Sequence, residues 1–136
     1  MAQTANIVIN DGAATPVAHT FHPTQVAGAT AKWRENQASL PLAGQGVLEL
    51  HVRETKNGVM QVHLSIATPA LEQITGNNGA GYTAAPKVAY TPLGGLTFNF
   101  DKRTTTQQRK DLRVLMQNAL ANAIVVDAID NLNPAY

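Results

Sequence analysis

The sequence predicts an α+β fold, with an all-β part over residues 1–103 followed by helices over 104–136. Two observations carry this. The first part is rich in Gly, Pro, Thr and Val and runs in short stretches that alternate apolar with polar residues, the period-2 signature of half-buried strands. After Gly95 glycine disappears, and apolar residues recur at spacings of three and four, the mark of amphipathic helices. With 136 residues and 44% hydrophobic content, the chain has the size of one compact domain spanning 1–136.

The elements follow in order. Residues 6–10 and 17–21 flank Asn10-Asp11-Gly12 and read as an N-terminal hairpin with a slightly long loop, broken by His22-Pro23. Between Val47 and Ile66 the alternation is clearest. Leu48, Leu50 and Val52 interleave with Glu49, His51 and Arg53, and Met60, Val62, Leu64 and Ile66 interleave with Gln61, His63 and Ser65. A two-residue Asn57-Gly58 turn would mix the two faces. A three-residue loop at 56–58, with Gly58 left-handed, instead pairs Arg53 with Gln61, His51 with His63 and Glu49 with Ser65. The other side then pairs Val52 with Val62, Leu50 with Leu64 and Leu48 with Ile66, an apolar surface that must be covered.

Residues 68–86 form a long connection containing the glycine-rich run 76–81, of a length that is usually functional or mobile. Strands follow near 87–91 and 96–100. Thr104, Thr105 and Thr106 offer helix caps, and Leu112, Leu115, Met116, Ala119 and Leu120 form one apolar stripe. Asn122 is placed to cap a second helix, in which Ile124, Val125, Ala128, Ile129 and Leu132 continue the stripe before Asn133-Pro134 closes it.

Composition narrows the function. Without cysteine there is no disulfide, thiolate metal site or cysteine nucleophile. The N-terminus lacks a basic-then-apolar leader and no apolar run approaches a membrane span, so a soluble, unprocessed chain with no membrane partner is expected. Ten basic against nine acidic residues give +1, so affinity for nucleic acid must come from local placement, as at Lys32/Arg34, Arg53/Lys56 and 102–113.

The C-terminal segment DAIDNLNPAY, residues 127–136, resembles the end of the coat proteins of single-stranded RNA bacteriophages, the levivirus and allolevivirus type to which Q-beta belongs. The likeness extends without gaps back to Thr97, through Thr97-Phe98, Phe100, Arg109, Arg113 and Leu120-Ala121, and more thinly through Ala31-Lys32-Trp33, Val52, Val62, Ile66 and Pro69. It implies an N-terminal hairpin, a five-stranded antiparallel sheet, and two C-terminal helices laid across the partner's sheet in an interlocked dimer. Leu112, Leu115, Met116, Ile124 and Ile129 would then form the dimer interface.

The resemblance further implies an icosahedral shell around a single-stranded RNA genome, found in the virion and, during assembly, in the cytoplasm of the bacterial host. The polar sheet face would bind an RNA stem-loop and repress replicase translation. Carried over by strand position, that face comprises Glu49, His51, Arg53, Gln61, His63 and Ser65, joined by Lys87, and by Tyr90 if residues 92–95 are an insertion. Glu49 and His51 stand where relatives have small hydroxyl residues, and Gln61 where they have lysine.

Two rival readings stand beside this. His51 facing His63 with Glu49 nearby suggests a zinc enzyme, but a catalytic zinc generally needs three protein ligands, and Glu49 lies two positions along the strand. The 76–81 run lacks the Lys-Ser or Lys-Thr of a phosphate loop, and no Gly-x-Ser-x-Gly elbow exists. No cofactor, metal or catalytic residue is expected. The second rival is a dimeric nucleic-acid or ligand-binding module that forms no shell.

Overall fold

The computed structural model describes residues 3–72, 79, 81 and 86–135, which divide into two compact units, Met1–Asn99 and Phe100–Tyr136. Parts of the glycine-rich run at 76–81 lie outside the described residues. The strands are β1 (Ile7–Asn10), β2 (Ala18–Ala27), β3 (Thr30–Glu35), β4 (Val47–Glu54), β5 (Met60–Ala67), β6 (Ala70–Leu71), β7 (Val88–Tyr90) and β8 (Leu93–Phe100). Six of them form one sheet in the order β1-β2-β3-β4-β5-β8, and β6 pairs with β7 apart from it.

The β4–β5 register is the one the alternation predicts, with Arg53 opposite Gln61, His51 opposite His63, Leu50 opposite Leu64 and Leu48 opposite Ile66. Gly58 sits at φ 76°, the left-handed region the three-residue loop requires. At the N-terminus, Asp11 Oδ1 accepts from the backbone N–H groups of Ala13 and Val17 and shapes the β1–β2 loop.

The hairpin does not end at His22-Pro23. β2 continues to Ala27 and pairs with β3, so the hairpin and the expected five-stranded sheet are merged into six strands. The register shift between Pro23 and Gln25 accommodates a residue without an N–H to donate. The expected 68–86 connection likewise begins with a short strand, since Ala70 pairs with Tyr90 and Leu71 with Val88.

The core of this unit lies on one face of the sheet. Phe21, Trp33 and Leu48 are buried, and Ile7, Ile9, Ala31, Leu50, Leu64 and Ile66 pack around them half-buried. Trp33 Nε1 donates to the carbonyl of Ala5 at 2.9 Å, so the indole is buried with its polar atom satisfied. Toward the β4–β5 loop the cover thins, and Val52 is 41% exposed.

In the second unit α1 (Thr106–Leu120) and α2 (Ala123–Asp130) meet at 63°. Thr105 closes a capping box, its hydroxyl accepting from Gln108 N while the Gln108 side chain accepts from Thr105 N. Asn122 caps α2 by accepting from Ile124 N. After α2, Asp127 accepts from the side chains of Asn131 and Asn133, while Leu132 takes φ 56°, a left-handed turn rarely adopted by a branched side chain. No residue of either helix is buried. Among the described residues, no single helix is long and apolar enough to cross a membrane.

Candidate nucleic-acid interface

Because strand side chains alternate, the sheet that places Leu48 and Trp33 on one face sends Glu49, His51 and Arg53 to the other. There β3, β4, β5 and β8 contribute a band of hydrogen-bonded polar groups. Arg53 Nε donates to Gln61 Oε1 at 2.8 Å, and Gln61 Nε2 donates to Asn99 Oδ1 at 3.0 Å. His63 Nδ1 lies 2.7 Å from Thr97 Oγ1, and His51 Nδ1 lies 2.9 Å from Thr30 Oγ1. At one end Lys32 Nζ meets Glu49 Oε1 at 2.7 Å, and Glu49 Oε2 is 3.5 Å from His51 Nε2.

A hollow of about 430 Å³ opens in this band, lined by His51, Arg53, Gln61, His63 and Thr97. Its donors and acceptors suit the edge of a nucleobase, and Arg53 suits phosphate. The two imidazoles tilt at 38° with ring centroids 6.3 Å apart, and their Nδ1 atoms turn outward to Thr30 and Thr97 rather than to a common centre. Lys32, with His51 second, holds the Glu49 carboxyl below its ordinary range, so Glu49 is an anion at neutral pH.

Four of the residues expected on this face, His51, Arg53, Gln61 and His63, thus line one hollow. Ser65 lies on the same face opposite Glu49, outside it. Lys87 and Tyr90 are elsewhere. Tyr90 pairs with Ala70 in the two-stranded sheet, the backbone carbonyl of Lys87 accepts from Glu72 N, and β8 begins at Leu93 and runs on through Gly94 and Gly95. The neighbour of β5 is instead β8, which supplies Thr97 and Asn99. Sequence reading assigned neither to the face, although their alternation with Phe98 and Phe100 was visible. Thr30 was missed with the strand that bears it, and Lys32, read as one of a local basic pair with Arg34, was not placed on this face.

The residues expected at a dimer interface all lie on the helices. Met116 is half-buried and Leu112, Leu115, Ile124 and Ile129 are exposed, Leu115 at 64% and Ile124 at 66%.

A second polar cluster lies on the apolar side of the sheet. His19 stands between two carboxyl groups, its Nδ1 2.5 Å from Glu35 Oε1 and its Nε2 3.2 Å from Asp11 Oδ2. Glu35 is buried and also accepts from Gln37 Nε2. The cluster borders a hollow of about 380 Å³ whose other walls include Ile9, Phe21, Leu40 and Ile66.

Comparison with known proteins gives a consistent result. A family profile described as levivirus coat protein matches residues 2–136. The capsid protein of Pseudomonas phage PRR1 is 30% identical over 137 residues, covering 99% of this chain and all of the relative. The capsid protein of Qbeta virus strain MX1 is 33% identical over 84 residues, 62% of this chain and 57% of the relative. Among solved structures, the virus-like particle of bacteriophage NT-214 superposes with a TM-score of 0.87 at 31% identity, over 99% of this chain and 100% of that one. The capsid protein of bacteriophage GA, at 16% identity and a TM-score of 0.73, shares the fold.

Proposed function

Because the chain belongs to the levivirus coat protein family, and is therefore a phage capsid protein and virion component, we propose that it dimerises, closes into an icosahedral shell around single-stranded RNA, and holds an RNA stem-loop on the polar face of its sheet. Its relatives are capsid proteins, not enzymes, which removes the zinc-enzyme reading.

The observation that carries the proposal is that both helices lack any buried residue while presenting a row of exposed apolar side chains. Wetting such a surface is costly, at about 25 cal/mol per Å² of apolar area. Short helices are marginal in water without tertiary packing, so a second copy is the natural cover. The exposed Val52 on the apolar sheet face asks for a cover in the same way. The opposite face, with its hollow at His51, Arg53, Gln61, His63 and Thr97, is the RNA surface. Through it the protein represses replicase translation in the bacterial cytoplasm before assembly.

Electron microscopy of the purified protein tests the shell, since particles containing nuclease-protected RNA support the reading and uniform small oligomers sink it. An Arg53→Ala, Gln61→Ala variant tests the face. It assembles normally but binds a genomic stem-loop more weakly than the wild type.

A further inference from the structure

Glu49 is an acid in the middle of a face assigned to a polyanion. Lys32 and Glu49 are direct cross-strand partners between β3 and β4, and the 2.7 Å ion pair joins side chains that are about one-third exposed, within reach of a ligand from solvent. The second carboxyl oxygen of Glu49 turns to His51, whose other ring nitrogen meets Thr30, so one carboxylate faces two of the band's basic groups. Arg53, by contrast, donates to the neutral side chain of Gln61, which takes none of its charge.

Resting on the RNA-binding reading above, we propose that Glu49 is a built-in counter-ion that keeps Lys32 and His51 from phosphate and so suppresses sequence-independent binding of RNA. Sequence-independent affinity follows the number of phosphates neutralised by cations, whereas base contacts supply discrimination. With Lys32 neutralised by its own sheet, the band offers an RNA backbone little more than Arg53. The hollow beside it is left to recognise bases through Gln61, Thr97 and the two imidazoles. A coat subunit with weak affinity for arbitrary RNA remains free for the one stem-loop its hollow fits.

The test uses the full-length unassembled chain and a labelled oligouridine, a probe without a stem-loop, in wild type, Glu49→Gln, Lys32→Gln and the double variant. Glu49→Gln binds oligouridine severalfold more tightly, and its log affinity falls more steeply with log salt by about 0.7, the contribution of one added phosphate contact on a single strand. Lys32→Gln alone changes little, but in the Glu49→Gln background it cancels the gain. Because all these side chains lie on the solvated face, thermal melting should show each variant folded like the wild type.

Unchanged or weaker oligouridine binding by Glu49→Gln, or an equal loss from Lys32→Gln in both backgrounds, overturns the proposal while leaving the RNA face in place. If none of the four proteins binds either oligouridine or a genomic stem-loop, the RNA-binding reading itself falls and takes this one with it.

Discussion

The two units of the chain solve opposite halves of the folding problem. Residues 1–99 contain every buried hydrophobic side chain of the described structure, Phe21, Trp33 and Leu48, within a sheet of five consecutive strands joined at one edge by β8. Residues 100–136 contain none, yet both helices are closed by local hydrogen bonds, with a capping box at Thr105, an Asn122 cap and the Asp127 bonds that end α2. Caps contribute about 1 kcal/mol each, whereas burying one large side chain contributes about 1.5 to 3 kcal/mol. The helices are therefore well specified in shape while none of their residues is buried, which is what the proposed dimer would require.

The sharpest test of that contrast is in the sheet. Trp33→Ala removes a buried indole together with its bond to Ala5 and should destabilise the protein by about 3 to 5 kcal/mol, read by denaturant unfolding. A loss under 1 kcal/mol would mean that the sheet core is not what holds the first unit together.

The matching change in the helices is Leu115→Ala. Leu115 is 64% exposed in the single chain, so an isolated subunit should hardly register its loss. In a dimer that buries it, the cost rises to about 2 to 5 kcal/mol and the unfolding midpoint depends on protein concentration. A wild-type chain that stays folded as a monomer on dilution would break the comparison, because the helices would then need no partner.

Third in size comes the cap. Thr105→Ala abolishes the capping box and should cost about 1 kcal/mol. The loss should be visible as reduced helicity at the start of α1 without change in the sheet, as reported by hydrogen exchange at Gln108 and Arg109.

Legibility in the sequence divides along different lines from stability. The β4–β5 pair was readable to the residue, because strict alternation and the left-handed Gly58 leave one register that keeps the faces apart. β3 was not, since Glu35 turns inward where an apolar residue would complete the pattern, and its partner His19 is 16 residues away. The polar face was half legible for the same reason. Residues on the hairpin locate each other through one short loop, but Thr97 and Asn99 reach Gln61 and His63 across a long connection that no local rule measures. The stripe of the helices says only that something must cover them; that the cover is a second copy is what the family resemblance implies.

The smallest expected effect concerns how the inward Glu35 is tolerated. Both ring nitrogens of His19 face carboxyl oxygens, and a neutral imidazole has only one N–H, so both contacts are hydrogen bonds only when the ring is protonated. The bond to Glu35 foremost, and then that to Asp11, raises the His19 pKa above its ordinary 6.5. A raised folded pKa means that this stabilisation is full below about pH 6.5 and is lost as pH rises through the folded value. Asp11 runs the other way. Its carboxyl is held low by the Val17 backbone N–H first and His19 second, so its contribution is present above 3.8 and lost as pH falls through the lowered value. The cluster is complete only between those limits. The melting temperatures of wild type and His19→Gln should thus differ most near pH 6 and converge toward pH 9, by a few degrees at most because His19 is partly exposed and its ion pairs are screened. Asp11→Asn should shrink the difference, and a gap equal at both pH values would show that the ring is neutral and that only one of its two contacts is a hydrogen bond.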